Sequence, residues 1–96
     1  MHQIRLRPRA RQDFEQIWSY SLENFGQQRA TDYIQAIRAT LALLRQNPGL
    51  GRKAEGGRPG LMKYRVASHV LYLHITGQSI DVVRILHGRI DFPRHL

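Results

Sequence analysis

The chain has 96 residues, a length that fits one domain spanning 1–96. Its 42% apolar and 23% charged residues exclude a disordered chain, and its lack of cysteine excludes a disulfide framework or a thiolate metal site. Fifteen Lys and Arg against seven Asp and Glu give +8, of which residues 33–96 hold +7; this surplus implies an acidic partner, or simply a solvated basic surface.

Residues 2–7 alternate, with Ile4 and Leu6 on one side and Gln3, Arg5 and Arg7 on the other, which predicts a short half-buried strand. Pro8 closes it and suits the start of a helix. From about Ala10 the apolar period becomes helical: Phe14, Ile17, Trp18, Ser21 and Phe25 share a stripe, and Gly26 marks the break. A second helix is expected from about Gln27 to Gln46, with Ala30, Tyr33, Ile34, Ile37, Leu41 and Leu44 on its main stripe and Ala36, Ala39 and Leu43 widening the arc. Asn47-Pro48-Gly49 stops it. The short connection over 24–27 predicts an antiparallel helical hairpin. Trp18, on the inward stripe, reads as core, whereas Tyr20 and Leu22 lie off its centre.

Residues 47–60, rich in Gly and Pro and carrying Arg52, Lys53 and Arg58, read as a loop, either functional or slack. Three strands follow. Met62, Tyr64 and Val66 alternate with Lys63 and Arg65; Leu71, Leu73 and Ile75 alternate with Val70, Tyr72 and His74; Val83, Ile85 and His87 alternate with Val82, Arg84 and Leu86. Thr76-Gly77-Gln78-Ser79 supplies a hairpin turn.

The order β-α-α-β-β-β predicts an α+β fold: a small, mainly antiparallel sheet with a helical hairpin packed on one face. The opposite face is expected to be bare and to collect Arg5, Arg7, Lys63, Arg65, Tyr72, His74 and Arg84, with Val70, Val82 and Leu86 among them. Charged residues on a solvated strand face are ordinary; the alternative is a binding surface. Arg84 stands out because it sits between Val82 and Leu86, with a planar fork suited to phosphate or carboxylate.

Catalytic patterns are weak. His69 and His74 fall on opposite faces of one strand and cannot share a metal. No zinc-protease motif, nucleophile elbow or phosphate loop is present. His87, beside Gly88 and Arg89, reads either as a general base next to a phosphate anchor or as a hydrogen-bonded structural histidine. Neither a metal nor a cofactor is expected. No apolar run reaches the roughly 20 residues that span a bilayer, and Met1–Arg5 lacks the apolar core of a signal peptide; a cytoplasmic protein with no membrane contact is expected.

Several residue groups, in order and spacing, resemble the ParE branch of the RelE/ParE toxin superfamily. They are Arg5-Leu6 with Ala10 and Asp13-Phe14; Ile17-Trp18-Ser19-Tyr20; Phe25-Gly26 with Ala30 and Asp32-Tyr33; Asn47-Pro48-Gly49 with Gly51; Ser68-His69-Val70; and Val83-Arg84-Ile85-Leu86-His87. The tail Asp91–Leu96 also looks like the family's ending. Arg7-Pro8 departs from it, since such toxins often place a serine at the helix start.

The resemblance implies the βααβββ fold and a toxin of a type II toxin–antitoxin system that inhibits DNA gyrase without acting as an enzyme. It implies neutralisation by a ParD-like ribbon-helix-helix antitoxin, in a heterotetramer or larger assembly. The alternative is a RelE-like, ribosome-dependent mRNA endoribonuclease. Those relatives use sheet cations and a late Tyr or His; here Lys63, Arg65, Arg84 and Arg89 could supply cations, but the last tyrosine is Tyr72, leaving His87 and His95. By charge and position, Arg58, Arg84, His87 and Arg89 are the expected target-binding residues. Tyr20, Leu22, Ala36 and Leu43 are the expected antitoxin contacts.

Overall fold

The computed structural model describes residues 2–54 and 58–90. Residues 55–57 of the expected loop, and the tail 91–96 with His95, lie outside the described residues. The elements are β1 (Gln3–Leu6), α1 (Pro8–Gln46), a 3-10 turn (Pro48–Leu50), β2 (Arg52–Lys53), β3 (Leu61–Val66), β4 (His69–Ile75) and β5 (Ser79–His87). They form an α+β fold with a five-stranded mixed sheet of order β1-β5-β4-β3-β2. β1 runs parallel to β5, and the other neighbours are antiparallel.

Within α1, two helical segments meet across a kink at a single residue, Gly26, at φ 85° and ψ 171°, so the connection expected over 24–27 is shorter than a loop. A straight helix of 39 residues would extend about 58 Å, yet the molecule's longest dimension is 38 Å. The run therefore folds back, and the Arg38 guanidinium lies 5.9 Å from the centre of the Phe14 ring. The Gly26 conformation is open essentially to glycine alone, and a Cβ there would meet nothing within 4 Å. Gly26→Ala should therefore cost about 1–3 kcal/mol from the backbone alone, read as a lower urea midpoint with an unchanged denaturant slope. One expected element is corrected: there is a fifth strand. Arg52 and Lys53, within the expected loop, pair with Lys63 and Met62.

Pro8 occupies the first turn of α1, and Arg7 offers no side-chain cap. The entry is held instead by the sheet, where the Arg7 N–H donates to the Val82 carbonyl at 3.0 Å. At the other end Arg45 lies in the last turn, where a cation suits the helix dipole. The stripe of Ala30, Ile34, Ile37, Leu41 and Leu44 joins Ala10 and Ile17 against Leu71, Leu73, Ile80, Val82 and Ile85 to form the core. Each fully buried Leu or Ile there contributes about 1.5–3 kcal/mol.

The second sheet face is not bare. Ala54, Leu61, Tyr72 and Leu86 are buried there, with Val70 and Val83 packed against them. Tyr72, expected among exposed cations, is only 5% exposed. A β-bulge explains part of the difference. Tyr72 lies opposite Arg84 but Leu73 lies opposite Val82, so Val83 is the additional residue. The bulge turns Val82 to the helix side and Val83 to the other, reversing the expected assignment of both.

Candidate functional site

A groove of about 760 Å³ lies between the bend of α1 and the last turn of the sheet. Ile17, Tyr20, Ser21, Phe25, Arg29 and Tyr33 of α1 line one wall. Ser68, His69, Ile85, His87 and Ile90 line the other. Tyr20 and Phe25 are both more than half exposed, with their rings edge to face and centroids 6.2 Å apart. They make an aromatic rim at the groove's mouth.

The groove's inner end is fixed by Asp13 and Arg84. The guanidinium donates from Nε and Nη2 to the two Asp13 oxygens at 2.8 and 2.9 Å. Asp13 Oδ2 also accepts the Ile85 backbone N–H at 2.9 Å. β1 ends at Leu6, so past Val82 the outer edge of β5 has lost that strand. The first turns of α1 take its place, and the carboxylate satisfies the sheet donor there. Both side chains are largely buried. The hydrogen bonds that Arg84 donates to Asp13 raise its pKa against the opposing effect of burial.

Across the groove the Tyr33 Oη lies 2.6 Å from His69 Nδ1 and accepts the Ser68 N–H at 3.1 Å. His69 and His87 are opposed across β4 and β5, with ring centroids 5.5 Å apart. The Arg89 N–H donates to His87 Nδ1 at 3.2 Å. Burial, and then the neighbouring His87, lower the His69 pKa below its ordinary value, against a weaker upward pull from Asp13. The folded state therefore binds fewer protons at His69 than the unfolded chain does. Its contribution to stability is complete above about pH 6.5 and is lost as pH falls through the lower folded-state value. Urea unfolding at pH 7.5 and 5.5 should show a larger acid loss for the natural chain than for His69→Gln.

Of the four expected target-binding residues, His87 and Arg89 come together at the end of β5. Arg58 does not join them. It precedes β3, whose start pairs with the far end of β4, whereas His87 pairs with the beginning of β4. About 20 Å of strand separates the two ends. Arg84 leaves the set expected on the bare face, because its guanidinium is turned to Asp13. The basic face also divides. Arg5 and Arg7 lie at the β1 edge, with Arg7 3.5 Å from Asp81. Lys63 and Arg65 lie exposed on β3, and the buried Tyr72–Leu86 cluster lies between the two edges. His74 is partly buried near Gly60.

Of the expected antitoxin contacts, Tyr20, Leu22, Ala36 and Leu43 are all exposed, but only Tyr20 lines the groove. Sequence reasoning missed Asp13, Arg29, Tyr33 and His69 as parts of one site. Asp13 carried a signal, since a carboxylate flanked by Phe14 and Ile17 on a buried stripe needs a partner. Among the described residues there is no group of three or more His, Cys, Asp or Glu that could hold a metal ion. No described helix is long and apolar enough to cross a membrane.

Comparison with known proteins places this geometry. The model of the family described as the ParE toxin of the type II toxin–antitoxin system parDE matches residues 4–92. Toxin ParE1 of Caulobacter vibrioides is 32% identical over 96 residues, covering 100% of this chain and 99% of the relative. Toxin ParE1 of Mycobacterium tuberculosis is 36% identical over 92 residues, covering 95% and 94%. A solved structure described as the chromosomal ParDE TA system from P. aeruginosa superposes with a TM-score of 0.77 at 19% identity, covering 91% of this chain and 96% of that one; at that identity it speaks for the fold. The family match takes in the bend of α1, the bulged β5 and both walls of the groove, and the chain belongs to the ParE toxin family of type II toxin–antitoxin systems.

Proposed function

We propose that this toxin inhibits DNA gyrase as a binding protein rather than as an enzyme, and that a ParD-like ribbon-helix-helix antitoxin neutralises it by filling the groove. The carrying observation is that Tyr20, expected to meet the antitoxin, and His87, expected to meet the target, line one groove. An antitoxin segment seated on the Tyr20–Phe25 rim covers His87 at the same time, so neutralisation follows from competition for one surface. The family match and a fold neighbour solved as a ParDE system support the pairing. The target contact is assigned to His87 and Arg89, joined by Arg65, whose guanidinium reaches the backbone at Gly88. The reading carries with it a cytoplasmic site of action, where gyrase works, and an assembly of two toxins with two antitoxins or larger.

A supercoiling assay tests this. Folded toxin in excess should stop gyrase from supercoiling relaxed plasmid, and equimolar antitoxin should restore it. Normal supercoiling at excess toxin would overturn the reading. Codon-linked cuts in translated mRNA, seen by primer extension, would replace it with the ribonuclease.

A further inference from the structure

The hydrogen bonds fix the tautomer of one groove histidine and leave the other free to take either. The Arg89 N–H donates to His87 Nδ1, which leaves the proton of a neutral His87 on Nε2. The Tyr33 Oη accepts the Ser68 N–H and lies 2.6 Å from His69 Nδ1, where it can either donate its hydrogen or accept a second one. Both rings and Arg29 line the same groove. The acceptor one would look for nearby is already engaged, because Asp13 has both oxygens on Arg84 and Ile85. Among the described residues, Asp13 is the one acid on this lining. A metal does not suit the pair: with Nδ1 of His87 accepting a backbone N–H, its Nε2 holds a proton and offers no lone pair.

We infer that the His69–His87 pair, with Arg29, is a receptor for a carboxylate side chain on the acidic antitoxin segment that fills the groove, and that this contact takes up a proton. The inference rests on the reading that an antitoxin occupies the groove. The occupant is an acidic peptide by charge complementarity: the chain carries +8, and the one acid among the described residues of the groove, Asp13, is already held by Arg84 and Ile85. A carboxylate beside His69 favours its charged form. At His87, Nδ1 is already taken as the acceptor of the Arg89 N–H. A charged His69 carries an N–H on both nitrogens, and the Tyr33 oxygen can accept from Nδ1 while still accepting Ser68, since it has two lone pairs. His69 is therefore the proton acceptor. The charged and titratable groups facing it are Tyr33, Arg29 and Asp13 from α1, and His87 and Arg84 from β5. The partly buried ring resists charging in the free toxin, and the incoming carboxylate relieves that resistance. Binding is then tighter in acid, whereas the free toxin is less stable there.

Isothermal titration of the toxin with the antitoxin encoded beside it tests the inference. At pH 8 and pH 6, in two buffers of different ionisation enthalpy, the natural chain should bind about fivefold tighter at pH 6 with net proton uptake. His69→Gln keeps an amide N–H donor but cannot titrate. It should lose the pH dependence, with affinities at pH 8 and pH 6 that agree. Tyr33→Phe removes the oxygen that accommodates the second proton and should flatten the slope in the same way, with folding checked by circular dichroism. An unchanged slope in folded His69→Gln and Tyr33→Phe, or no proton uptake by the natural chain, would overturn the receptor while leaving gyrase inhibition and its neutralisation standing. Absence of any antitoxin binding would overturn it together with the proposed partner.

Discussion

Asp13→Ala should lower the unfolding free energy by about 3–5 kcal/mol, a large share of the roughly 5–15 kcal/mol that holds a domain folded. The substitution removes two charge-assisted hydrogen bonds to Arg84 and the acceptor of the Ile85 N–H at once. A buried sheet donor left without an acceptor alone costs about 1–3 kcal/mol. The loss should appear as a fall in the urea midpoint. Asp13→Leu combined with Arg84→Met should recover much of it, because a well-packed apolar pair can replace a buried ionic one. The surface supplies the contrast. Arg7 and Asp81 are also of opposite charge, but Arg7 is well exposed and the contact is 3.5 Å; Arg7→Ala should cost under about 1 kcal/mol. A loss below about 1 kcal/mol for Asp13→Ala would mean that water or a rearranged side chain serves the β5 edge equally well.

That ion pair also marks where the sequence stops being readable. Asp13 and Arg84 lie 71 residues apart, and nothing in either local pattern announces the other. The alternation of Ile4 and Leu6, of Met62, Tyr64 and Val66, and of Leu71 and Leu73 placed those residues on the helix side correctly. The period is a local property of a pleated strand and survives wherever pairing is regular. It fails at Val83, because a bulge adds one residue and every assignment before it changes face. Arg84 follows the bulge and keeps its register opposite Tyr72; it looked exposed because its partner, Asp13, comes from α1. The helical stripes hold from Phe14 to Ser21 and from Ala30 to Leu44 but not at Phe25, which is 54% exposed. Gly26 was visible as the break, but that a single residue makes the turn depends on its dihedrals, which composition does not encode. β2 escaped notice because two residues, Arg52 and Lys53, carry no period at all.

The site was legible in pieces. Tyr20, His87 and Arg89 stood out as individual residues, from their position off an apolar stripe or beyond a strand end. Their assembly was not legible, because it depends on the fold-back at Gly26 and the register of His69 against His87. Arg58 shows the converse. Its charge and its loop suggested membership of the same patch, yet antiparallel pairing carries it to the opposite end of the sheet. Charge is additive along a chain, but a binding surface forms only where the topology converges.

Tyr20→Ala should separate the two faces of the function. The ring is 62% exposed, and its one described aromatic neighbour is Phe25. Its loss should change folding stability by less than about 0.5 kcal/mol. In the complex the same ring becomes a rim anchor, and truncating such an aromatic typically costs about 2 kcal/mol, or roughly 30-fold in Kd. Titration calorimetry with the antitoxin should show that loss, while circular dichroism and the urea midpoint stay put. Gyrase inhibition by the free variant should persist, because the target contact is assigned to His87, on the opposite wall, and to Arg89 beyond it. In cells carrying both partners, a toxin that keeps its potency but escapes its inhibitor should arrest growth at expression levels the natural pair tolerates. An unchanged Kd would move the antitoxin footprint off the groove, to the exposed Leu22, Ala36 and Leu43 side of α1. Competition for one surface would then give way to neutralisation at a distance from His87.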